Sequence, residues 1–243
     1  MPISWGEMVD SYSLAKTLPR LESFLIYGSY PDVIQSDYDK EEIVKSLSGS
    51  YLYMDILEMT SIRKPQLLVK LLQALAWQVG NEVSYNEIAQ TIRADNETVI
   101  SYIDLLEKIF VIFRLNPLAK NERKEIATSR KIYFYDNGVR NAIIDNFAPL
   151  AQRDDVGALW ENYIISERVK FLTYNNIQQT KSYFWRNKLQ AEIDYVEMSE
   201  SKYRAFKIKW NPKKQARFSK SLTDFYLPES TEVINSSNFW KYL

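Results

Sequence analysis

Residues 191–210, AEIDYVEMSESKYRAFKIKW, hold the most informative pattern in this chain of 243 residues. Side chains two residues apart in a strand share a face, so Glu192 and Asp194 are expected to point the same way. By the same argument, Lys207 and Lys209 share a face of the next strand. Two acids beside two lysines on neighbouring strands predict a metal-dependent site that cleaves phosphodiester bonds, or a relic of one.

The surrounding pattern predicts an α/β unit over residues 151–243. A long helix is followed by three strands, a basic amphipathic helix with Phe218, Leu222 and Phe225 facing inward, and a late strand. The predicted bounds are 156–174 for the long helix, 181–186, 191–196 and 203–210 for the strands, 213–225 for the second helix and 232–235 for the last strand.

Residues 63–150 show the element order of a winged helix-turn-helix, three helices followed by strand, loop and strand. The spacing of Ser84 and Glu87 predicts a capping box, and Asp95 can cap the third helix. The predicted bounds are 65–80 for the first helix, 84–92 and 95–108 for the next two, and 110–113 and 131–135 for the strands, which flank a basic loop.

Residues 1–62 are predicted to be a mostly helical, acidic, lid-like segment whose role is packing. The chain is therefore predicted to have an α/β (α+β) fold in three parts, with boundaries at 1–62, 63–150 and 151–243.

Composition removes several kinds of chemistry. The chain has no cysteine and no histidine, which excludes disulfides, thiolate zinc sites, Ser-His-Asp triads and histidine acid–base catalysis. Carboxylates, Lys, Tyr, Ser/Thr or a hard cation such as magnesium remain available. Basic and acidic residues both number 31, so the net charge indicates no class of partner.

The chain also lacks the usual membrane and export signals. No stretch of 18 apolar residues occurs, and the N-terminus has neither a basic start nor an apolar run. A cytoplasmic protein with no membrane partner is expected.

Basic residues of the winged-helix-like region are candidates for binding duplex DNA, because DNA affinity depends largely on phosphate neutralisation. The candidates are Arg93, Lys120, Arg123, Lys124, Arg130 and Lys131. The alternative is a winged helix that contacts another protein. The basic run 202–220 has a similar pair of interpretations, a nucleic-acid surface or a strand whose lysines face solvent.

Seven motifs spread along the chain carry a resemblance to a known family. They are Tyr27–Val33, Thr98–Glu107, Lys131–Val139, Gly157–Asn162, Phe184–Arg186, Glu192–Asp194 and Lys207–Trp210. As a set they resemble the C-terminal region of bacterial and archaeal AAA+-type ATPases that end in an uncharacterised domain. The resemblance implies an upstream nucleotide-binding domain where ATP binds. No G-x-x-x-x-G-K-[ST] loop occurs here, so the chain is expected to begin after the ATPase core and to hold no cofactor.

The resemblance also implies a restriction-endonuclease-like fold, of the PD-(D/E)xK group, for the last domain. In that group a helix supplies a Glu, one strand an Asp, and the next strand an acid-x-Lys pair. On this chain Glu161 matches the helix acid, Asp194 the strand acid and Lys209 the catalytic lysine. Lys207 stands in the position of the second acid.

Three functions follow from these patterns. The first is a non-catalytic accessory region of an AAA+-type ATPase, which contacts the ATPase domain and binds DNA or a partner protein. Here Glu192 and Asp194 form ion pairs with Lys207 and Lys209. The second is a magnesium-dependent nuclease that uses Glu161, Asp194 and Lys209. The third is a protein-interaction module without a role on nucleic acid.

Overall fold

The computed structural model describes residues 1–51, 64–118, 130–177, 179–187 and 189–243, which form a mixed α/β fold, as predicted. The helices are α1 (Trp5–Tyr12), α2 (Leu14–Thr17), α3 (Leu21–Tyr27), α4 (Pro31–Gln35), α5 (Lys40–Ser46), α6 (Pro65–Trp77), α7 (Tyr85–Ile92), α8 (Asn96–Lys108), α9 (Asn137–Ile143), α10 (Val156–Tyr174) and α11 (Lys220–Tyr226). The strands are β1 (Glu82–Val83), β2 (Ile112–Pro117), β3 (Arg130–Phe134), β4 (Lys181–Arg186), β5 (Glu192–Ser199), β6 (Lys202–Ile208) and β7 (Ser230–Ile234).

The described strands form one seven-stranded sheet in the order β1-β3-β2-β4-β5-β6-β7. Neighbouring strands are antiparallel, except that β2 with β4 and β6 with β7 are parallel. Asn116 lies opposite Tyr183 and Pro117 opposite Phe184, so β2 joins the strands before residue 150 to those after it. The two halves of the chain therefore share a sheet.

The helices of the first half begin at the predicted capping residues. The Oγ atom of Ser84 accepts a hydrogen bond from the N–H of Glu87 at 3.4 Å, which is half of the predicted capping box. The carboxylate of Asp95 accepts from the N–H of Thr98 at 2.7 Å, which confirms the predicted cap of α8.

Strand β2 begins two residues later than predicted. Phe110 has φ +58°, and its N–H donates to the carbonyl of Glu107 while the N–H of Val111 donates to the carbonyl of Leu106. This Schellman-type closure keeps both residues in the end of α8, so the strand starts at Ile112.

Helix α11 is shorter than the predicted helix over 213–225. Leu222 is buried and Phe218 packs against the same small core, as predicted. Phe225 is 51% exposed, so the prediction that it faces inward is wrong. The observed helix starts seven residues later, at Lys220, and its single buried position is Leu222.

Helix α10 lies against the sheet and is buried on nearly all sides. Several of its buried side chains are charged. Glu167 is paired with Lys170 at 2.6 Å, and Arg168 is paired with Glu197 on β5. Such pairing is what allows charges to remain in the interior. No helix in the described ranges, α10 included, is apolar enough over a sufficient length to cross a bilayer.

Two of the motifs that carry the resemblance meet around Asp136, whose Oδ2 accepts from the N–H of Ser29 at 2.8 Å. Gly28 has φ +80°, and a Cβ there would lie 2.0 Å from Oδ1 of Asp136. A Cβ on Gly138 would lie 2.0 Å from the carbonyl oxygen of Tyr27. These glycines therefore allow a close backbone contact between α3 and α9, which gives both motifs a structural role.

Candidate functional site

A bulge in strand β5 sets the position of Asp194. The register shifts by one residue between the Tyr183–Val196 pair and the Trp185–Ile193 pair, so Asp194 and the residue after it oppose a single residue of β4. Bulges re-aim side chains in this way. Asp194 is 6% exposed and lies close enough to Glu161 on α10 for the two carboxylates to repel each other.

Glu161 projects from α10 towards the beginning of strand β3. Its Oε1 accepts hydrogen bonds from Nζ of Lys131 at 3.1 Å and from the hydroxyl of Tyr133 at 2.7 Å. Lys131 and Tyr133 are two residues apart in β3 and so share a face. The predicted helix acid is thus held by the strand that follows the basic loop.

The ammonium of Lys131 lies between two carboxylates. Its Nζ contacts Oε1 of Glu192 as well as Oε1 of Glu161. To reach Glu192 the lysine side chain crosses the sheet above Phe184, with Nζ 5.5 Å from the ring centroid, which is a cation–π distance. The side chain of Lys131 is only 3% exposed.

Asp194 is bound by a different cation. Its Oδ2 accepts from Nζ of Lys209 at 3.1 Å and from the N–H of Ile208 at 2.6 Å. The predicted pairing of Asp194 with Lys209 is therefore confirmed. Glu192, by contrast, pairs with Lys131.

Lys207 lies away from these carboxylates. Its neighbours Phe206 and Ile208 both pack in the main core, so Lys207 is on the opposite face of β6. The strand ends at Ile208, and the alternation that predicted Lys207 and Lys209 on one face does not extend to Lys209. That prediction is wrong, and the lysine that joins Lys209 among the acids is Lys131.

The electrostatics of this carboxylate cluster, which we define as Glu161, Glu192, Asp194, Lys131 and Lys209, favour a resident positive charge. Burial raises the pKa of Glu161, and the negative charge of Asp194 raises this pKa further. The positive charge of Lys131 acts in the opposite direction, but the net change is upward. Burial lowers the pKa of Lys131, but the carboxylates of Glu161 and Glu192 outweigh it and the net change is upward. Lys131 therefore stays protonated.

The side chains of the cluster, as they are arranged, do not fit the magnesium ion that the resemblance implies. Magnesium is usually held by one or two carboxylates together with several waters. Here the space between Glu161 and Glu192 is taken by an ammonium, and Asp194 is bound by another. Within the described ranges, no group of three or more acidic, histidine or cysteine side chains is placed to hold a metal ion.

The predicted phosphate contacts are dispersed. Arg93 is exposed in the turn between α7 and α8, and Arg130 packs over the ring of Tyr85 at 5.4 Å. Lys131 is buried in the carboxylate cluster, so its ammonium cannot reach DNA, which corrects that part of the prediction. The loop candidates Lys120, Arg123 and Lys124 lie outside the described residues.

Sequence reasoning missed Tyr133 and the role of Lys131 in this cluster. A signal for both was present, because they share one face of a predicted strand in the same way as Glu192 and Asp194. The sequence did not indicate that Glu161 and Glu192 would be their partners, since β3 and β5 are separated in the sheet by two other strands.

Two family models match the chain in succession. A model described as domain of unknown function DUF8612 matches residues 18–150, and one described as domain of unknown function DUF4143 matches residues 156–239. The second is known as a C-terminal region of AAA-ATPase-like proteins. The matched segments meet next to the predicted boundary near residue 150.

The curated relatives are themselves uncharacterised. A protein of Mycobacterium tuberculosis is 32% identical over 138 residues, covering 56% of this chain and 30% of the relative. A protein of Haemophilus influenzae is 28% identical over 155 residues, covering 59% and 38%. A protein of Methanocaldococcus jannaschii is 26% identical over 195 residues, covering 77% and 41%. The chain thus spans well under half the length of these three relatives. A search of solved structures gave no significant match.

Proposed function

We propose that this chain, which belongs to the family described as domain of unknown function DUF8612, is a non-catalytic C-terminal accessory region of a cytoplasmic AAA+-type ATPase. In this role the winged-helix-like part contacts DNA or a partner protein, and the restriction-endonuclease-like part is a scaffold. The position of the DUF4143 match at residues 156–239 supports the ATPase context.

The observation that carries the non-catalytic assignment is that lysine side chains of the same chain already neutralise the carboxylates of the cluster. Lys131 binds Glu161 and Glu192, and Lys209 binds Asp194. Two unit charges of the same sign 4 Å apart repel by about 4 kcal/mol at an effective dielectric of 20, and a divalent ion beside an ammonium is repelled more. Metal-assisted hydrolysis requires carboxylates that are free to bind the ion, together with an open position for the ion and its water.

A plasmid-cleavage assay tests this assignment. Supercoiled plasmid incubated with the wild-type chain and either Mg²⁺ or Mn²⁺ is expected to remain uncut, because no carboxylate of the cluster is free to bind the ion. Asp194→Asn, assayed in parallel, is expected to give the same result. Metal-dependent nicking by the wild type that disappears in Asp194→Asn would establish the nuclease alternative instead.

The surface of α8 favours a protein target over DNA for the winged-helix-like part. Glu97 is exposed on this helix, and Asp104 and Glu107 accept from Arg114, so the helix carries little net positive charge. Exposed bases flank this helix, with Lys108 in its last turn and Arg93 in the turn before it. Phosphate contacts would therefore depend mainly on the basic loop.

Binding of duplex DNA at several salt concentrations separates the two targets. If the loop neutralises about three phosphates, the affinity should fall with a log–log slope of about −3 as salt rises. Replacing the three loop bases Lys120, Arg123 and Lys124 by alanine should then abolish binding, whereas Lys207→Ala should not change it. Absence of binding at low salt would exclude duplex DNA as the target and leave the protein-partner alternative.

A further inference from the structure

We propose that the ammonium of Lys131 is the resident cation of the carboxylate cluster, filling the position between Glu161 and Glu192 that a divalent ion would need. The inference rests on the proposed non-catalytic function and names the group that stands in place of a metal ion there.

The surroundings of the Lys131 ammonium are those of a cation site. Oε1 of Glu161 lies 3.1 Å from Nζ, Oε1 of Glu192 also contacts Nζ, and the ring centroid of Phe184 lies 5.5 Å from it. Charge-assisted contacts to two carboxylates are what an enclosed ammonium requires. At 3% exposure, its positive charge is neutralised mainly by these acids.

An ammonium and a divalent ion cannot share this position. Both would have to lie between the same two oxygen atoms, and their positive charges repel at that distance. As long as Lys131 is present, the two carboxylates have their cation and a metal ion is excluded. Without it, two acids would face each other in a mostly buried place, and a divalent ion becomes the natural counter-charge.

Lys209 provides a matched comparison, because it contacts a single acid among the residues that the structure describes. Its Nζ is 3.1 Å from Asp194, and its side chain is 28% exposed. Removing this ammonium leaves a single carboxylate that still accepts from the N–H of Ile208. Lys209→Met is therefore expected to create no cation site.

The experiment measures the melting temperature of the full chain with and without millimolar MnCl₂. The wild type and Lys209→Met are expected to show no Mn²⁺-dependent change. Lys131→Met is expected to melt higher in Mn²⁺ by at least about 3 °C, because an ion that binds only the folded chain stabilises it. Adding Glu192→Gln to Lys131→Met should remove this rise.

Two results would overturn the inference. The first is an unchanged melting temperature of Lys131→Met in Mn²⁺, and the second is an equal Mn²⁺-dependent rise in the wild type. If Lys131→Met does not fold without metal, refolding from urea with and without Mn²⁺ replaces the melting experiment. Recovery that requires Mn²⁺ supports the inference, and failure in both conditions contradicts it.

The test is independent of the proposed function. Plasmid cleavage by the wild type would refute the non-catalytic assignment. A melting temperature of Lys131→Met that does not change with Mn²⁺ would refute only the identification of Lys131 as the resident cation.

Discussion

Replacing Gly138 by alanine is expected to destabilise the fold by about 4 kcal/mol or more. A Cβ at this position would lie 2.0 Å from the carbonyl oxygen and 2.3 Å from the carbonyl carbon of Tyr27, and 2.8 Å from the backbone nitrogen of Gly28. These are backbone atoms, so the clash cannot be relieved by rotating a side chain. Helix α3 and helix α9 would have to separate, and the hydrogen bond from the N–H of Ser29 to the carboxylate of Asp136 would be disturbed with them.

The free energy of unfolding in urea measures this effect, and Gly157→Ala is the matched control. A Cβ on Gly157 meets nothing within 4 Å, and the residue lies in the first turn of α10. Alanine there should be neutral or should stabilise by up to about 1 kcal/mol, through helix propensity. If Gly138→Ala unfolds at the same urea concentration as Gly157→Ala, the close approach of the two helices is not required.

The second large effect is expected for Arg168→Met, which should cost about 3–5 kcal/mol of stability. Both Arg168 and Glu197 are 4% exposed, and the guanidinium donates to both carboxylate oxygens, at 2.6 and 2.8 Å. Without the arginine, Glu197 remains buried and charged. Arg204 lies 4.0 Å from Glu197, too far to replace this two-pronged bond.

An exposed ion pair of the same sheet provides the comparison for Arg168→Met. Lys202 and Glu229 are 3.1 Å apart with side chains 64% and 52% exposed, so Lys202→Met should cost less than about 1 kcal/mol. Adding Glu197→Gln to Arg168→Met should recover part of the loss, because no buried charge is then left alone. Equal unfolding free energies for Arg168→Met and Lys202→Met would contradict the assigned role of the buried pair.

The parts of the fold that could be predicted are those set by neighbours in the chain. Helix α10 and strand β4 have the predicted bounds, since their patterns are long or sharply bounded. The observed starts of strand β2 and helix α11 differ from the predicted ones. Strand β2 starts late because the preceding helix ends in a hydrogen-bonded closure, and α11 starts late at Lys220, and neither feature follows from the pattern of apolar residues.

The candidate site was predictable only in part for a similar reason. The grouping of Glu161 with Asp194 followed from the resemblance, and the pairing of Asp194 with Lys209 from strand adjacency. Lys131 reaches its acids by crossing the sheet over Phe184, a path that exists only once β2 and β4 have paired. Lys207 was wrongly grouped with Lys209 because the alternation was extended past Ile208, where β6 ends.

The origin of the three charges around Lys131 limits how this chain can exchange parts with its relatives. The ammonium comes from the segment before residue 150, whereas Glu161 and Glu192 come from the segment after it. A chimaera joined near residue 153 would take Lys131 from one parent and the two carboxylates from the other. Unless both parents carry the same arrangement, the hybrid would contain either a stranded lysine or two carboxylates without a counter-ion, so recombination at this junction is confined to compatible pairs.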